Sequence, residues 1–421
     1  MKVSILSIGD ELLIGQITNT NAAWIGAEFS AAGIEVVEQL TVGDDARAIG
    51  EALEHCRARS EVVIVTGGLG PTHDDVTVEA VAARLGLSLT LDRDWLSRME
   101  QYFKSLGRGM PPGNEKQAML PEGAERIDND CGTAPGAWIE SAGFIIALTP
   151  GVPYEMQSML KRVILPRLAA RVKGVARVQK TIYTTGVGES ALAAKCEQLD
   201  PPLSSQLTEN LKLAWLPSPL GVRLRLTASA PTEAQAVAAL SRFEAHLLKA
   251  AAPYVFGEAP GTGEVLLEAV VGEMLRAGKL TVAVAESCTG GLAGSRLTNI
   301  PGSSSYFVGG IIAYSNDVKT STLGVSAEVL TKFGAVSEEC ARAMAEGARE
   351  MFKADIGLAV TGIAGPEGGS PEKPVGLVWI ALAGASGTIA RKFLFERDRA
   401  RNRERAAQAA LEMLRRRLLK A

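Results

Sequence analysis

Short runs of β-branched and aliphatic residues alternate with helically spaced segments along most of this chain, and this alternation restricts its fold more than any other feature. In the first block, residues 3–8, 35–42 and 62–65 have the composition of buried strands. Helical spacing separates them at 22–32 and 46–58. Such alternation predicts an α/β fold, in which a parallel sheet carries helices on both faces. Ligands of these sheets bind at the carboxyl ends of the strands.

The length of 421 residues predicts two or three domains. We place a doubly wound domain at 1–171, a small α+β domain at 172–258 and a second α/β domain at 259–421. The middle block predicts one modest core, with a strand at 178–185, a helix at 189–199, two strands within 211–228 and a helix at 233–250. The last block predicts strands at 280–283, 306–314, 356–360, 377–382 and 389–395, and helices at 262–277, 292–297, 337–352 and 406–419.

Charge and cysteine spacing exclude several classes of protein. A net charge of −3 and a pI near 5.9 disfavour a general nucleic-acid binder or a membrane-surface protein. No apolar run approaches the roughly 18–20 residues that a membrane span needs. The five cysteines form no C-x-x-C pair, which disfavours a zinc ribbon or a disulfide framework and predicts a reducing, cytoplasmic location.

The third block contains a candidate nucleophile turn at 284–291, between a predicted strand and a predicted helix. Ser287, Cys288 and Thr289 all stand in this turn and are candidate nucleophiles. A helix that begins there offers unpaired backbone N–H groups to an anion or an oxyanion. The alternative is that the three side chains only cap the helix.

Histidine is scarce, and this limits the choice of a general base. The chain has three histidines, His55, His73 and His246, and none follows position 246. Tyr314 and Lys319 follow the next predicted strand, and a desolvated lysine can accept the proton of a hydroxyl. The block therefore predicts acyl transfer from an amide or ester.

Alternate arginines at 397–405 offer a phosphate ligand for the same site. The competing interpretation is a solvated, basic end of a helix.

Two loops in the first block combine glycines with acids at predicted strand ends. Gly67, Gly68 and Gly70 allow backbone amides to approach a phosphate, although the P-loop pattern is absent. Carboxylates of the two loops would supply oxygen ligands to a divalent ion: Asp10, Glu11, Asp74 and Asp75. The alternative is that Asp74 or Asp75 caps the following helix. Lys116 either neutralises phosphate charge or is a solvated surface lysine.

Motifs in both outer blocks resemble those of the competence/damage-inducible CinA family. In the first block the resemblance lies at 9–13, 67–75, 114–118, 132–136 and 150–156. In the third it lies at 285–291, 314–319, 334–337, 361–366 and 372–376. The resemblance implies a molybdopterin-binding-like N-terminal domain, a KH-like middle domain, a C-terminal deamidase domain and a homodimer.

For the C-terminal domain, the resemblance implies hydrolysis of nicotinamide mononucleotide to nicotinate mononucleotide and ammonia, without a cofactor. Ser287 would be the nucleophile, and Lys319 and Tyr314 would transfer protons. Arg397 departs from the family, which usually has glycine there. The implied substrate-binding residues are Thr289, Gly290, Gly291, Thr361, Gly362, Ile363, Ala364, Gly365, Arg399 and Arg403.

For the N-terminal domain, the resemblance implies metal-dependent hydrolysis of ADP-ribose to AMP and ribose 5-phosphate. The four carboxylates above would bind the metal. The implied nucleotide site comprises Asp10, Glu11, Asn21, Gly67, Gly68, Gly70, Thr72, Asp74, Asp75, Lys116 and Gly132.

Three further hypotheses remain open at this point. Residues 186–189 lack the G-x-x-G pattern of nucleic-acid-binding KH loops, so a spacer or dimerisation role is predicted for the middle block, without direct nucleic-acid binding. The whole protein is alternatively a competence or DNA-damage scaffold whose nucleotide pockets sense without turnover. Molybdopterin binding by the first block rests on fold analogy alone.

Overall fold

The computed structural model describes residues 1–141, 143–172, 176–261, 263–395 and 398–419. The chain separates into two compact units, which are considered one at a time: Met1–Val178 with Ser229–Val237, and Gln179–Ala228 with Ala238–Ala421. Within the described ranges, no helix is both long and apolar enough to cross a membrane. The mixed α/β class predicted from the sequence is confirmed.

The first unit is built on a six-stranded sheet with the order β2-β1-β3-β8-β7-β6. The strands are β1 (Lys2–Ile8), β2 (Glu35–Val42), β3 (Val62–Thr66), β4 (Leu89–Leu91), β5 (Met119–Pro121), β6 (Glu125–Ile127), β7 (Gly136–Ser141) and β8 (Phe144–Thr149), of which β4 and β5 form a separate pair. β2, β1, β3 and β8 are parallel, whereas β7 and β6 are antiparallel. The predicted all-parallel sheet is thus wrong at one edge, because no helix separates β7 from β8 to return the chain.

Helices cover both faces of this sheet. They are α1 (Asp10–Leu13), α2 (Thr20–Ala31), α3 (Ala46–Arg59), α4 (Thr77–Leu85), α5 (Arg93–Ser105), α6 (Pro153–Met159) and α7 (Leu165–Ala169). In β3, Val63 and Val65 pack with residues of α3 and α4. Val62 and Ile64 pack on the opposite side with residues of α2 and α6. Burial of alternate residues on both faces explains why this strand is apolar throughout.

The second unit begins with a four-stranded sheet of order β10-β11-β9-β12. Its strands are β9 (Ala176–Thr184), β10 (Leu211–Ser218), β11 (Gly221–Ala230) and β12 (Val255–Pro260). The first residues of β9, up to Val178, belong to the first unit. Its helices are α8 (Glu189–Glu197) and α9 (Glu233–Ala251). β10 and β11 form a hairpin in which Ser218 pairs with Gly221, so the predicted five-residue connection is reduced to a tight turn.

The remainder of the second unit holds a five-stranded sheet of order β14-β13-β15-β16-β17. The three neighbouring strands β14, β13 and β15 are parallel, and the last two are antiparallel. The strands are β13 (Val282–Glu286), β14 (Phe307–Ile312), β15 (Ile356–Gly362), β16 (Leu377–Ala383) and β17 (Ile389–Leu394). The helices are α10 (Leu267–Ala277), α11 (Leu292–Thr298), α12 (Asn316–Ser321), α13 (Ala327–Lys332), α14 (Glu338–Met351) and α15 (Arg399–Leu418).

The two faces of this sheet differ in the size of the residues that β13 presents. Val282 and Val284 of β13 pack with residues of α10, α11 and α15. Ala283 and Ala285 pack with α14 on the other face. Small residues on that side let α14 lie close to the strands. The alternation also directs Glu286, the last residue of β13, towards α11.

The largest differences between predicted and observed boundaries in this part lie at β13, α15 and α10. β13 extends to Glu286, three residues beyond the predicted strand. α15 begins at Arg399 instead of 406, because Asp398 caps it by accepting from the Arg401 amide at 3.1 Å. α10 begins at Leu267, later than the predicted 262; position 262 itself lies outside the described residues.

Candidate active site

Ser287 lies directly after β13, at the edge where the parallel strands end. Its amide donates to the Val360 carbonyl of β15 at 2.9 Å, which fixes the turn to the neighbouring strand. Lys319, on α12, places its Nζ 3.2 Å from Ser287 Oγ. The same Nζ donates to the carbonyls of Ala313 at 2.8 Å and Tyr314 at 3.2 Å. The structure thus brings together the nucleophile and the base proposed from the sequence.

The surroundings of Lys319 favour its neutral form. The residue is 1% exposed, and burial lowers the pKa of its ammonium group from the ordinary value of 10.5. Across the described ranges, no carboxylate forms an ion pair with it. A buried lysine without a counter-ion gives up its proton more readily, so Lys319 suits the role of a proton acceptor.

Glu286 organises the turn, and the sequence argument gave it no role. The residue is 1% exposed, and its carboxylate accepts from the amides of Gly291 at 3.0 Å, Ala293 at 3.1 Å and Gly294 at 2.8 Å. The N-cap position of α11 is Gly291, which makes no side-chain capping bond. The helix is therefore capped by the preceding strand, and the interpretation of Ser287, Cys288 and Thr289 as caps is wrong.

These contacts decide which amides remain for a ligand. Gly290 donates to the Ser287 carbonyl at 3.1 Å, and Gly291 donates to Glu286. In the part of the chain that the structure describes, the amides of Cys288 and Thr289 donate to no other residue. Thr289 Oγ1 is buried without a hydrogen-bond partner. Cys288 and Thr289 are both buried next to Ser287.

Cys288 does not have the properties of a reactive thiol. Its side chain is buried in the apolar core, and burial raises its pKa to about 12. The thiolate is the reactive form of cysteine, so this thiol is inert at neutral pH.

The predicted positions Thr361 to Gly365 comprise the last two residues of β15 and the first three of the loop that follows it. Thr361 is buried, and its Oγ1 donates to the Ala335 carbonyl at 2.7 Å. A side chain at Gly362 would place its Cβ 2.7 Å from the Leu377 carbonyl oxygen, so only glycine fits. Ile363 donates from its amide to that same carbonyl at 2.8 Å. These contacts hold the loop against β16.

Side chains of α15 donate hydrogen bonds to the loop after β15 and to the turn after β13. Arg399 donates to the Gly365 carbonyl and to the Tyr314 hydroxyl, each at 2.8 Å. Arg403 donates twice to the Thr289 carbonyl, at 3.2 and 2.9 Å. Asn402, which the sequence argument missed, donates to the Ala364 carbonyl at 3.1 Å. A guanidinium has five N–H donors, so both arginines keep donors for a phosphate.

Tyr314 takes a different place from the one its predicted role requires. Its side chain is 59% exposed, and its hydroxyl accepts from Arg399. The backbone carbonyl of Tyr314, and not the hydroxyl, contacts Lys319. The tyrosine thus orients the lysine and the arginine. Arg397, at which the sequence departs from the family pattern, lies outside the described residues.

In the first unit, the glycine loop after β3 is shaped by contacts within the protein. A Cβ at Gly67 would lie 2.2 Å from the Ile8 carbonyl oxygen, and one at Gly68 would lie 2.2 Å from Thr77 Oγ1. At Gly70 it would lie 2.4 Å from the Asp75 carboxylate. Packing alone therefore requires these glycines, independently of a bound phosphate.

Some of the predicted metal-binding acids lie near one another, but among the described residues no three meet at one metal site. Asp10 and Asp44 accept each other's backbone N–H groups. Burial, together with the charges of Asp10, Glu11 and Asp74, raises the pKa of Asp44. Asp75 accepts from Thr72, and neither Asp74 nor Asp75 caps α4. Among the described residues, no three histidine, cysteine or acidic side chains lie close enough to hold a metal ion, so the residues present do not fit the implied metal.

Lys116 and Gly132 are likewise engaged inside the protein. Lys116 Nζ donates to the Thr72 and Asp75 carbonyls and forms an ion pair with Glu79 at 3.2 Å. A Cβ at Gly132 would lie 2.4 Å from the carboxylate of Glu155. These contacts give both residues a structural role.

A cavity of about 110 Å³ lies at the carboxyl ends of β1 and β3. Asn21 stands in its wall, donating to the Gly151 carbonyl at 2.7 Å and to Thr66 Oγ1 at 3.3 Å. Glu11 and Ser7 line it as well. Of the predicted nucleotide-site residues, Glu11 and Asn21 are the ones that this cavity brings together.

Comparison with known proteins assigns the chain to a family. A model of the CinA C-terminal domain matches residues 265–418, the damage-inducible protein CinA KH domain matches 179–257, and a probable molybdopterin binding domain matches 4–170. The CinA-like protein of Salinibacter ruber is 46% identical over 420 residues, which cover 99% of this chain and 100% of the relative. The chain belongs to the CinA family.

A second full-length relative agrees with this assignment. A putative competence-damage inducible protein of Moorella thermoacetica is 45% identical, with 98% of each chain covered. The crystal structure of the competence/damage inducible protein CihA from Agrobacterium tumefaciens is 44% identical and covers 35% of this chain and 91% of that one, with a TM-score of 0.35. Ser287, Lys319, Arg399 and Arg403 all lie within the match to the CinA C-terminal domain.

Proposed function

We propose that the C-terminal part of this CinA family member hydrolyses the amide of nicotinamide mononucleotide to nicotinate mononucleotide and ammonia. The observation that carries the proposal is the buried Lys319, whose Nζ lies 3.2 Å from Ser287 Oγ. A serine needs a base to become nucleophilic, and no histidine follows position 246 to provide one. Buried Lys319, whose pKa is lowered, meets this need.

The proposed reaction proceeds through an acyl-enzyme. Neutral Lys319 takes the proton of Ser287 Oγ as that oxygen attacks the carboxamide carbon and the carbonyl electrons move to oxygen. The amides of Cys288 and Thr289 stabilise this oxyanion. When the carbonyl re-forms, the C–N bond breaks, and the nitrogen takes the proton from Lys319 and leaves as ammonia.

Water completes the cycle. It attacks the ester carbon while Lys319 accepts its proton, and the bond to Ser287 Oγ then breaks. The serine oxygen recovers its proton from Lys319, and nicotinate mononucleotide is released. The N–H groups of Arg399 and Arg403 that make no bond within the protein would hold the 5′-phosphate, which charge-assisted pairs with guanidinium favour.

Ammonia release from nicotinamide mononucleotide tests this proposal. Ser287→Ala and Lys319→Ala should each lower kcat by about a thousandfold or more, as loss of a nucleophile or its base does in comparable systems. Cys288→Ala is the matched control and should retain activity, since its thiol is inert. Full activity in Ser287→Ala would exclude the acyl-enzyme.

We further propose that the first unit hydrolyses the pyrophosphate of ADP-ribose. The position of Asn21 and Glu11 at the carboxyl ends of parallel strands supports this second activity. The cavity beside them holds only a part of such a ligand. No step is assigned to a metal ion, because no three acids among the described residues meet at one metal site. AMP release from ADP-ribose should fall in Asn21→Ala and not in Ser287→Ala. Equal release by wild type and Asn21→Ala would refute this assignment of the site.

A further inference from the structure

A second cavity of about 400 Å³ lies within the second unit, between the KH-like part and the C-terminal part. Four segments line it: the β9–α8 loop at 185–189, the β10–β11 turn at 217–222, the edge strand β17 and the helix α15. Neither Ser287 nor Lys319 belongs to this lining. Binding pockets for small molecules range from about 300 to 1,000 Å³, so the cavity can hold one.

One wall combines aromatic rings with a positive charge. Arg391, Phe393 and Phe395 occupy alternate positions, which places their side chains on the same face of β17 and its continuation. The rings of Phe393 and Phe395 are stacked, with centroids 5.7 Å apart and planes at 14°. Both rings are only partly buried, so they present an apolar surface to the cavity.

The opposite wall is one stripe of α15. Arg405, Gln408, Ala409, Glu412, Met413 and Arg416 line the cavity at helical spacing. Gln408 Nε2 donates to Thr185 Oγ1 at 3.0 Å and ties the stripe to the β9–α8 loop. A Cβ at Gly186 would lie 3.5 Å from the guanidinium of Arg416. The β9–α8 loop therefore lies directly against α15 at Gln408 and Arg416.

The lining carries Arg391, Arg405 and Arg416 together with the carboxylates Glu189 and Glu412. Glu412 is neutralised by Arg415 and Arg416, through bonds of 2.7 and 2.5 Å. In the described part of the chain, the guanidinium groups of Arg391 and Arg405 form neither an ion pair nor a hydrogen bond. Guanidinium groups bind phosphate in a bidentate fashion, and aromatic faces stack on planar bases.

We propose that this cavity binds a mononucleotide, with the base against Phe393 and Phe395 and the phosphate held by Arg391 and Arg405. The site is separate from the Ser287 site. Arg403, two residues before Arg405, donates to the Thr289 carbonyl there, whereas Arg405 lines this cavity. The inference does not depend on the proposed amide hydrolysis.

Calorimetric titration of the full chain with AMP tests the site, with the double variant Arg391→Glu/Arg405→Glu against wild type. The variant should lose one binding event per chain, or bind it at least about tenfold more weakly, as the loss of charged hydrogen bonds predicts. Lys392→Glu is the control for the reversal at Arg391, since it makes the same single charge reversal next to Arg391 on the opposite face of β17. This control should bind AMP within about twofold of wild type, the margin of a surface substitution.

Photolabelling locates the binding event independently of affinity. Crosslinking with 8-azido-AMP should label peptides that contain Phe393 and Phe395 or the 185–189 loop, and the double variant should lose this label. Adenosine and inorganic phosphate should each compete poorly, because either one makes only half of the contacts. Label that is absent from these peptides, unchanged binding by the double variant or equal loss in Lys392→Glu would overturn the proposal.

Discussion

At the scale of single residues, the burial of Lys319 determines its chemistry. Its amine is buried beside Ser287 without a carboxylate, and desolvation lowers its pKa. This lowering of the pKa has two consequences, one for activity and one for stability. Both follow from the preference of the folded protein for the uncharged amine.

The first prediction concerns the pH dependence that Lys319 imposes. The activity on nicotinamide mononucleotide should rise with pH along a limb whose midpoint lies below 10.5, because the neutral amine is the base. Between the lowered pKa and 10.5 the unfolded chain binds more protons, so the unfolding free energy of wild type relative to Lys319→Met should also rise with pH. Above 10.5 this difference should level off.

Rate profiles and urea unfolding at several pH values measure these effects. Lys319→Arg provides a control that retains a donor and a positive charge but cannot lose its proton, and it should be inactive throughout. A limb centred at or above 10.5, or a stability difference that does not change with pH, would contradict the assignment of Lys319.

At the scale of elements, the turn between β13 and α11 depends on a strand residue. Glu286 satisfies three amides at the start of α11, and the N-terminal end of a helix favours a negative charge. Glu286→Gln keeps the shape of the side chain but leaves one acceptor oxygen for the three backbone N–H donors. The unfolding free energy should fall by about 1–3 kcal/mol, the cost of an unsatisfied buried donor.

Urea unfolding and steady-state kinetics together measure the effect of Glu286→Gln. Because the turn also carries Ser287, kcat for amide hydrolysis should fall with it. Glu328→Gln makes the same chemical change at the exposed first turn of α13 and should alter stability by less than about 0.5 kcal/mol. Equal stability of both variants would show that Glu286 contributes no more than a surface charge.

The elements also show what sequence patterns can and cannot predict. Strands buried on both faces, such as β3 and β15, were evident from their unbroken apolar runs. The start of α15 was not, because alternating arginines resemble a solvated segment until Arg399 and Arg403 are seen to contact the loops. Chemistry and the lack of histidine predicted Lys319 as a candidate base and left three candidate nucleophiles, among which the family resemblance selected Ser287. Glu286 and Asn402 were not, since their roles exist only through contacts between distant segments.

At the scale of the molecule, a buried polar chain connects two parts of the second unit. Glu268 pairs with Arg296, Arg296 donates to Gln408 at 2.8 Å, and Gln408 donates to Thr185 at 3.0 Å. Thr185 follows β9 in the KH-like part, whereas the other three residues belong to the C-terminal part. Buried hydrogen bonds of this kind hold the two parts in one arrangement, although Arg296 Nη1 has no hydrogen-bond partner.

The final prediction concerns Gln408→Met, which preserves side-chain volume but leaves Arg296 and Thr185 each without one partner. The unfolding free energy of the second unit should fall by about 1–3 kcal/mol. Gln198→Met, at an exposed position of the same unit, is the control and should change it little. In a double-mutant cycle with Thr185→Val, followed by urea unfolding, the two losses should not add fully, because both variants remove the same hydrogen bond, the one between Gln408 and Thr185. Additivity within about 0.3–0.5 kcal/mol would show instead that Gln408 and Thr185 stabilise the fold independently.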